Sequence, residues 1–137
     1  MAVPYVNDKI FDQGLNYLKA NCTRVVACVG EPASFAEANA NLGVGAGKRV
    51  AQATAATGDF TVAAGTGDVQ RRVTYAGTLV SAGGLVAGNP TVLAWLDVTN
   101  SEILALTGEN GAAAVTVGAD ITFPAVDVVR LVAPVAA

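Results

Sequence analysis

Cys22 and Cys28 are the strongest nucleophiles in this sequence, and none of its 137 residues is a histidine that could activate them. That absence removes the commonest general base, the commonest metal ligand and every serine–histidine or cysteine–histidine nucleophile. Two thiols without an imidazole also fall short of a structural zinc site. The carboxylates are dispersed. Asp97 and Glu102 flank one turn, Glu109 lies in the next, and Asp59, Asp68 and Asp120 occupy separate turns, without the ligand spacing of a calcium loop. Acids in turns usually hydrogen-bond their own backbone, and these are read that way. The expectation is a protein that is not an enzyme and needs no cofactor or metal.

The segment Leu42–Arg49, LGVGAGKR, resembles a phosphate-binding loop only superficially. A Walker A motif needs glycine where Leu42 stands and Ser or Thr where Arg49 stands, and the dinucleotide fingerprint needs its third glycine at Lys48. The glycines therefore read as a loop. Tyr5, Tyr17, Tyr75 and Trp95 are too widely spaced for a base-stacking platform and read as core or interface filling. If Thr23–Val29 is a strand, its rise separates the two cysteines by about 20 Å. A disulfide tolerates only ~4.4–6.8 Å between Cα atoms, so both thiols are expected free.

The elements that must position these residues are mostly β. One stretch has helical spacing: Ile10, Phe11, Leu15 and Leu18, opened by Asn7 as N-cap and Asp8 in the first turn, and closed by Lys19 and Asn21. This predicts an amphipathic helix over 8–20, docked by that apolar row, with Gly14 either weakening it or permitting close packing. A short extended arm, residues 1–6, precedes it. After the strand at Thr23–Val29, Ser34–Glu37 fits a capping box and predicts one helical turn through Ala40. Residues 39–47 read as a flexible, glycine-rich loop.

From residue 48 to 132 the pattern predicts a β-sandwich. Strands are expected at Lys48–Ala55, Phe60–Ala64, Val69–Tyr75, Thr78–Ala87 (interrupted at Gly83-Gly84), Ala114–Val117, Ile121–Phe123 and Val126–Val132. The hairpin Thr91–Thr107, TVLAWLDVTNSEILALT, is expected at its centre. Val92, Ala94 and Leu96 share one face, Leu93 and Trp95 the other, so the first strand should be covered on both sides. The fold class is therefore mainly β, an antiparallel sandwich or barrel-like single domain with one N-terminal α-helix.

Charged residues make up only 14% of the chain, against roughly 25% in an ordinary soluble domain. Either the surface is simply alanine-rich, or neighbouring subunits cover much of it. A net charge of −3 and scattered basic residues argue against nucleic acid as a partner. No apolar run is long enough to span a membrane. The N-terminus lacks the basic and apolar regions of a secretory signal, so a protein made in a cytoplasm is expected.

The order of features resembles a family of small structural proteins of tailed bacteriophages. In those, a helix of the type LxYIxxNATR runs into a strand and a CxxEPxxxxEA segment. Leu15, Tyr17, Leu18, Asn21, Thr23 and Arg24 fit the first motif, and Cys28, Glu31, Pro32, Glu37 and Ala38 the second. The later half is also similar, at Ala94–Asp97, Ile103–Ala105, Thr107-Gly108, Val117-Gly118 and Ile121–Ala125. Cys22 departs from the family's small residue. The resemblance implies a decoration (cement) protein of the virion that stabilises the capsid by bridging major capsid protein subunits. It would sit on the capsid surface as a homo-oligomer or beside neighbouring copies, after assembly in the host cytoplasm. The alternative is a tail- or fibre-associated virion component; an unrelated binding module is a third. Tyr5, Lys48 and Arg49 are the expected interface residues, against the plain alternative that they are ordinary exposed side chains.

Overall fold

The computed structural model describes residues 5–108 and 114–134. It shows a mainly β fold with an N-terminal helix. Helix α1 spans Asp8–Asn21 and starts where its cap predicts, the Asn7 side chain accepting a hydrogen bond from the Lys9 amide at 2.9 Å. The first sheet is antiparallel, in the order β2 (Arg49–Thr54), β1 (Arg24–Cys28), β6 (Val92–Asp97), β7 (Glu102–Gly108). The second is also antiparallel and joins β3 (Phe60–Ala64), β4 (Val69–Tyr75) and β9 (Val126–Val132). A small ribbon pairs β5 (Thr78–Val80) with β8 (Ile121–Phe123). A 3₁₀ turn, Thr57–Asp59, precedes β3, and a four-residue helix, α2, spans Phe35–Ala38.

Period-two alternation divides the apolar residues of the first sheet between two cores. Val25, Ala27, Ala51, Ala53, Leu93 and Trp95 face inward, where they meet Phe60, Val73 and Tyr75 of the second sheet and Leu15 and Leu18 of α1. Three aromatic rings join the layers. Trp95 lies 5.0 Å from Tyr75 and 6.0 Å from Phe60 between centroids, both nearly edge-on, and Phe60 lies 5.5 Å from Tyr75. Edge-on contacts suit the ring quadrupoles. On the opposite face Val26, Cys28, Ala94 and Leu96 are fully buried beneath Phe35 and Ala38 of α2. β6 is thus covered on both sides, as its doubly apolar sequence predicts.

The strand expected over Thr78–Ala87 is cut to Thr78–Val80, with only isolated bridges at Gly84 and Gly88, and other details differ from the sequence reading as well. Ile10 is 67% exposed, so the apolar row of α1 docks through Leu15 and Leu18, with Phe11 half-buried. A Cβ built on Gly14 meets no atom within 4 Å; this glycine serves no close approach. Ala114–Val117 forms no strand, and only Val115 bridges, to Gly88. The glycines around it dictate this, because Gly84 lies against the Thr116 carbonyl too closely for any side chain. Most of the turn expected at Gly108–Gly111 lies outside the described residues, as does Met1–Pro4 of the arm.

Candidate functional site

Burial settles the chemistry of the thiols. Cys22 and Cys28 are free and buried, and desolvation pushes each from 9.0 up to about 11. Arg49 and Lys48 oppose the rise at Cys28, but burial outweighs them. Burial therefore disfavours the thiolate, the nucleophilic form, at both positions. Asp97, buried at 1% exposure, spends both carboxylate oxygens on its own turn: it accepts from the Asn100 amide at 3.2 Å and from Asn100 Nδ2 at 2.7 Å. Asp59 and Asp120 likewise accept from the amides of Ala56 and Ala82. Among the described residues no group of three acidic or cysteine side chains is placed to hold a metal.

Several other charges pair within the fold. Adjacent arginines on β4 point to opposite faces. Arg71 reaches α1 and grips Asp12 through Nε at 2.7 Å and Nη2 at 3.1 Å; that hydrogen bond raises its pKa. Arg72 meets Asp127 of β9, which also pairs with Arg130 at 3.6 Å. Gln70 ties the arm and helix start to β4 by donating to the Val6 carbonyl and to Asp8 Oδ1, each at 2.7 Å.

The expected interface residues fall on two sides of the molecule. Tyr5 is 78% exposed, next to the Val6 carbonyl held by β4 of the second sheet. Lys48 and Arg49 lie at the start of β2 in the first sheet. Lys48 Nζ is 3.9 Å from Glu37 on α2. A bulge between Ala27 and Cys28 sets Arg49 opposite Cys28, on the outer face. There its Nε donates to Asn41 at 2.9 Å, and its Nη1 to Gln52 at 2.8 Å and to Asn39 at 3.4 Å. Arg24, at the other end of β1 on the same face, sends its Nη1 to the same Asn39 oxygen at 2.6 Å. Two guanidinium groups thus converge on one neutral acceptor. Burial and the charge of Arg24 both lower the pKa of Arg49.

The segment 39–47 builds this cluster. Its backbone is fastened to β2 and α2 by Arg49 N to Ala40 O, Leu42 N to Arg49 O and Lys48 N to Glu37 O, each at 2.9 Å. Gly47 is buried against the carbonyls of Ala40 and Asn41, where a Cβ has no room. The sequence reading picked out Arg49 but missed Arg24, Asn39 and Asn41. A signal for Arg24 existed: strand alternation places it on the face of Val26 and Cys28, which α2 covers.

A second feature lies on the other side. An apolar groove of about 350 Å³ runs between α1, β7 and β9, lined by Leu15, Tyr17, Leu18, Ile103, Leu104 and Val129, and among the described residues no charged side chain lines it. Tyr17, at 52% exposure, stands at its rim. Among the described residues no helix is long and apolar enough to cross a membrane. Comparison with known proteins found no matching family model, no matching curated protein and no matching solved structure.

Proposed function

We propose that this chain is a structural protein of a tailed-bacteriophage virion that binds the assembled capsid and clamps adjacent major capsid protein subunits. The observation that carries the reading is the apolar groove between α1, β7 and β9, with half-exposed Tyr17 at its rim, in a chain with few charges. Such a surface suits burial against a partner whose core excludes charge. The resemblance at Leu15–Arg24 and Cys28–Ala38 supplies the identity of that partner. A clamp needs two separate contacts, and the molecule offers the groove with Tyr5 on one side and Lys48 with Arg49 on the other. Binding only the mature shell would stabilise that state by mass action, among neighbouring copies on the capsid surface.

Purified protein mixed with undecorated capsids tests this directly by co-sedimentation. Saturable binding is expected, and deleting Met1–Val6 or introducing Tyr17→Glu should weaken it about ten-fold or more, as loss of a buried aromatic anchor does. Trp95 fluorescence should show both variants folded. No affinity for capsids, or equal affinity in both variants, overturns the proposal. Co-purification with tails instead of shells assigns the tail- or fibre-associated role.

A further inference from the structure

The converging arginines carry an inference that does not depend on the capsid reading. Each other arginine of the described residues has a carboxylate: Arg71 has Asp12, and Arg72 and Arg130 share Asp127. Among the described residues, Arg24 and Arg49 have only amide oxygens, from Asn39, Asn41 and Gln52. An amide oxygen orients a guanidinium without neutralising it, so two like charges are held together uncompensated.

The unused donors are specific. Arg24 spends Nη1 on Asn39, which leaves its Nε and Nη2 without partners among the described residues; Arg49 likewise keeps Nη2. None of these is a buried orphan: among the described residues, the buried side-chain nitrogen without a partner is Nε of Arg72. They therefore reach solvent. The free edge of Arg24, Nε with Nη2, is the edge by which Arg71 grips both oxygens of Asp12. A guanidinium edge of this kind matches a carboxylate in a two-bond fork. Its orientation is fixed beforehand, because Asn39 is held by the turn after α2 and by the hydrogen bonds that fasten 40–49 to β2.

We propose that Arg24 and Arg49, joined through Asn39, form a receptor for a carboxylate group supplied from outside the chain. Arg24 forks the carboxylate through Nε and Nη2, and Arg49 adds a second charge through Nη2. An acidic side chain of a partner protein and a small free carboxylate share this chemistry.

The test uses the full chain labelled with ¹⁵N-arginine and titrated with sodium acetate at constant ionic strength, with sodium chloride as the reference. A saturating shift of the Arg24 Nε–H resonance is expected with acetate and none with chloride. Arg49→Gln should weaken the acetate affinity about ten-fold, the worth of one charge-assisted hydrogen bond. Arg24→Lys, followed at the Arg49 Nε–H, should abolish saturation, since it keeps the charge and loses the fork. A linear response equal to that of chloride, or unchanged affinity in either variant, overturns the proposal. A short peptide carrying two glutamates separates the sources. Binding tighter than acetate assigns the site to a protein partner, and binding no tighter assigns it to a free carboxylate.

Discussion

At the scale of single residues, burial decides what the reactive groups do. Both thiols and the Tyr75 hydroxyl are neutral groups held away from water, with Cys22 and Cys28 raised to about 11 and Tyr75 to about 12. The unfolded chain releases these protons first, from pH 9.0 for the thiols and 10.0 for the phenol. Their contribution to stability should therefore hold level below pH 9.0 and fall as pH rises toward 11, with Tyr75 extending the decline to about 12. Thermal melts across that range check this, and a Cys22→Ala/Cys28→Ala pair should remove part of the fall. Gly47 is the second residue-scale case. Its Cβ would meet the Ala40 and Asn41 carbonyls, so Gly47→Ala should cost about 1–3 kcal/mol in denaturant unfolding, in the manner of an overpacked core. The same change should displace Asn39 and Asn41 and alter the Arg24 and Arg49 side-chain resonances.

At the scale of elements, α1 is a helix attached by few anchors. Leu15 and Leu18 supply its buried contacts, Asp12 its ion pair with Arg71, and Asp8 its link to Gln70. Exposed Gly14 weakens it for no packing return, since open space surrounds the position. Gly14→Ala should raise stability by about 0.5–1 kcal/mol in chemical denaturation, the propensity difference between the two residues. Unchanged or lower stability would show that the wall of the groove needs a glycine at this position. The helix α2 works differently. At four residues it has little stability of its own. It persists because Phe35 and Ala38 cap the outer core over Val26, Cys28, Ala94 and Leu96, and Ser34 accepts from the Glu37 amide at 3.3 Å.

At the scale of the whole molecule, the two sheets and α1 share one inner core, and Trp95 is its largest fully buried side chain. It touches ring partners from both strands of the β3–β4 hairpin, and its indole N–H donates to Thr107 at 3.1 Å. Truncating it opens a cavity that backbone on two layers cannot fill. Trp95→Ala should cost about 3–5 kcal/mol and leave the protein largely unfolded near 37 °C, visible as loss of the cooperative melt by circular dichroism. Trp95→Phe should retain the cooperative transition at a lower midpoint.

The sequence by itself determined the elements. Asn7 and Asp8 marked the start of α1, Ser34 and Glu37 the turn of α2, and the alternation in Val69–Tyr75 and Val92–Leu96 the strands, because caps and period-two patterns act over a few neighbours. Trp95 was legible as a core residue for the same reason. Three outcomes needed the tertiary structure. Ile10 follows helical spacing, yet no layer lies opposite it, and which apolar residues find a partner is a property of the assembled layers. Val115 and its neighbours are β-prone, but their backbone meets Gly88 and Gly84 at single points and no ladder forms. Arg24 and Arg49 are twenty-five positions apart in the chain and ordinary in each local context. They meet because β1 pairs antiparallel with β2, a bulge turns Arg49 outward, and the turn after α2 lays Asn39 between them. Long-range pairing made that cluster, and no local rule encodes it.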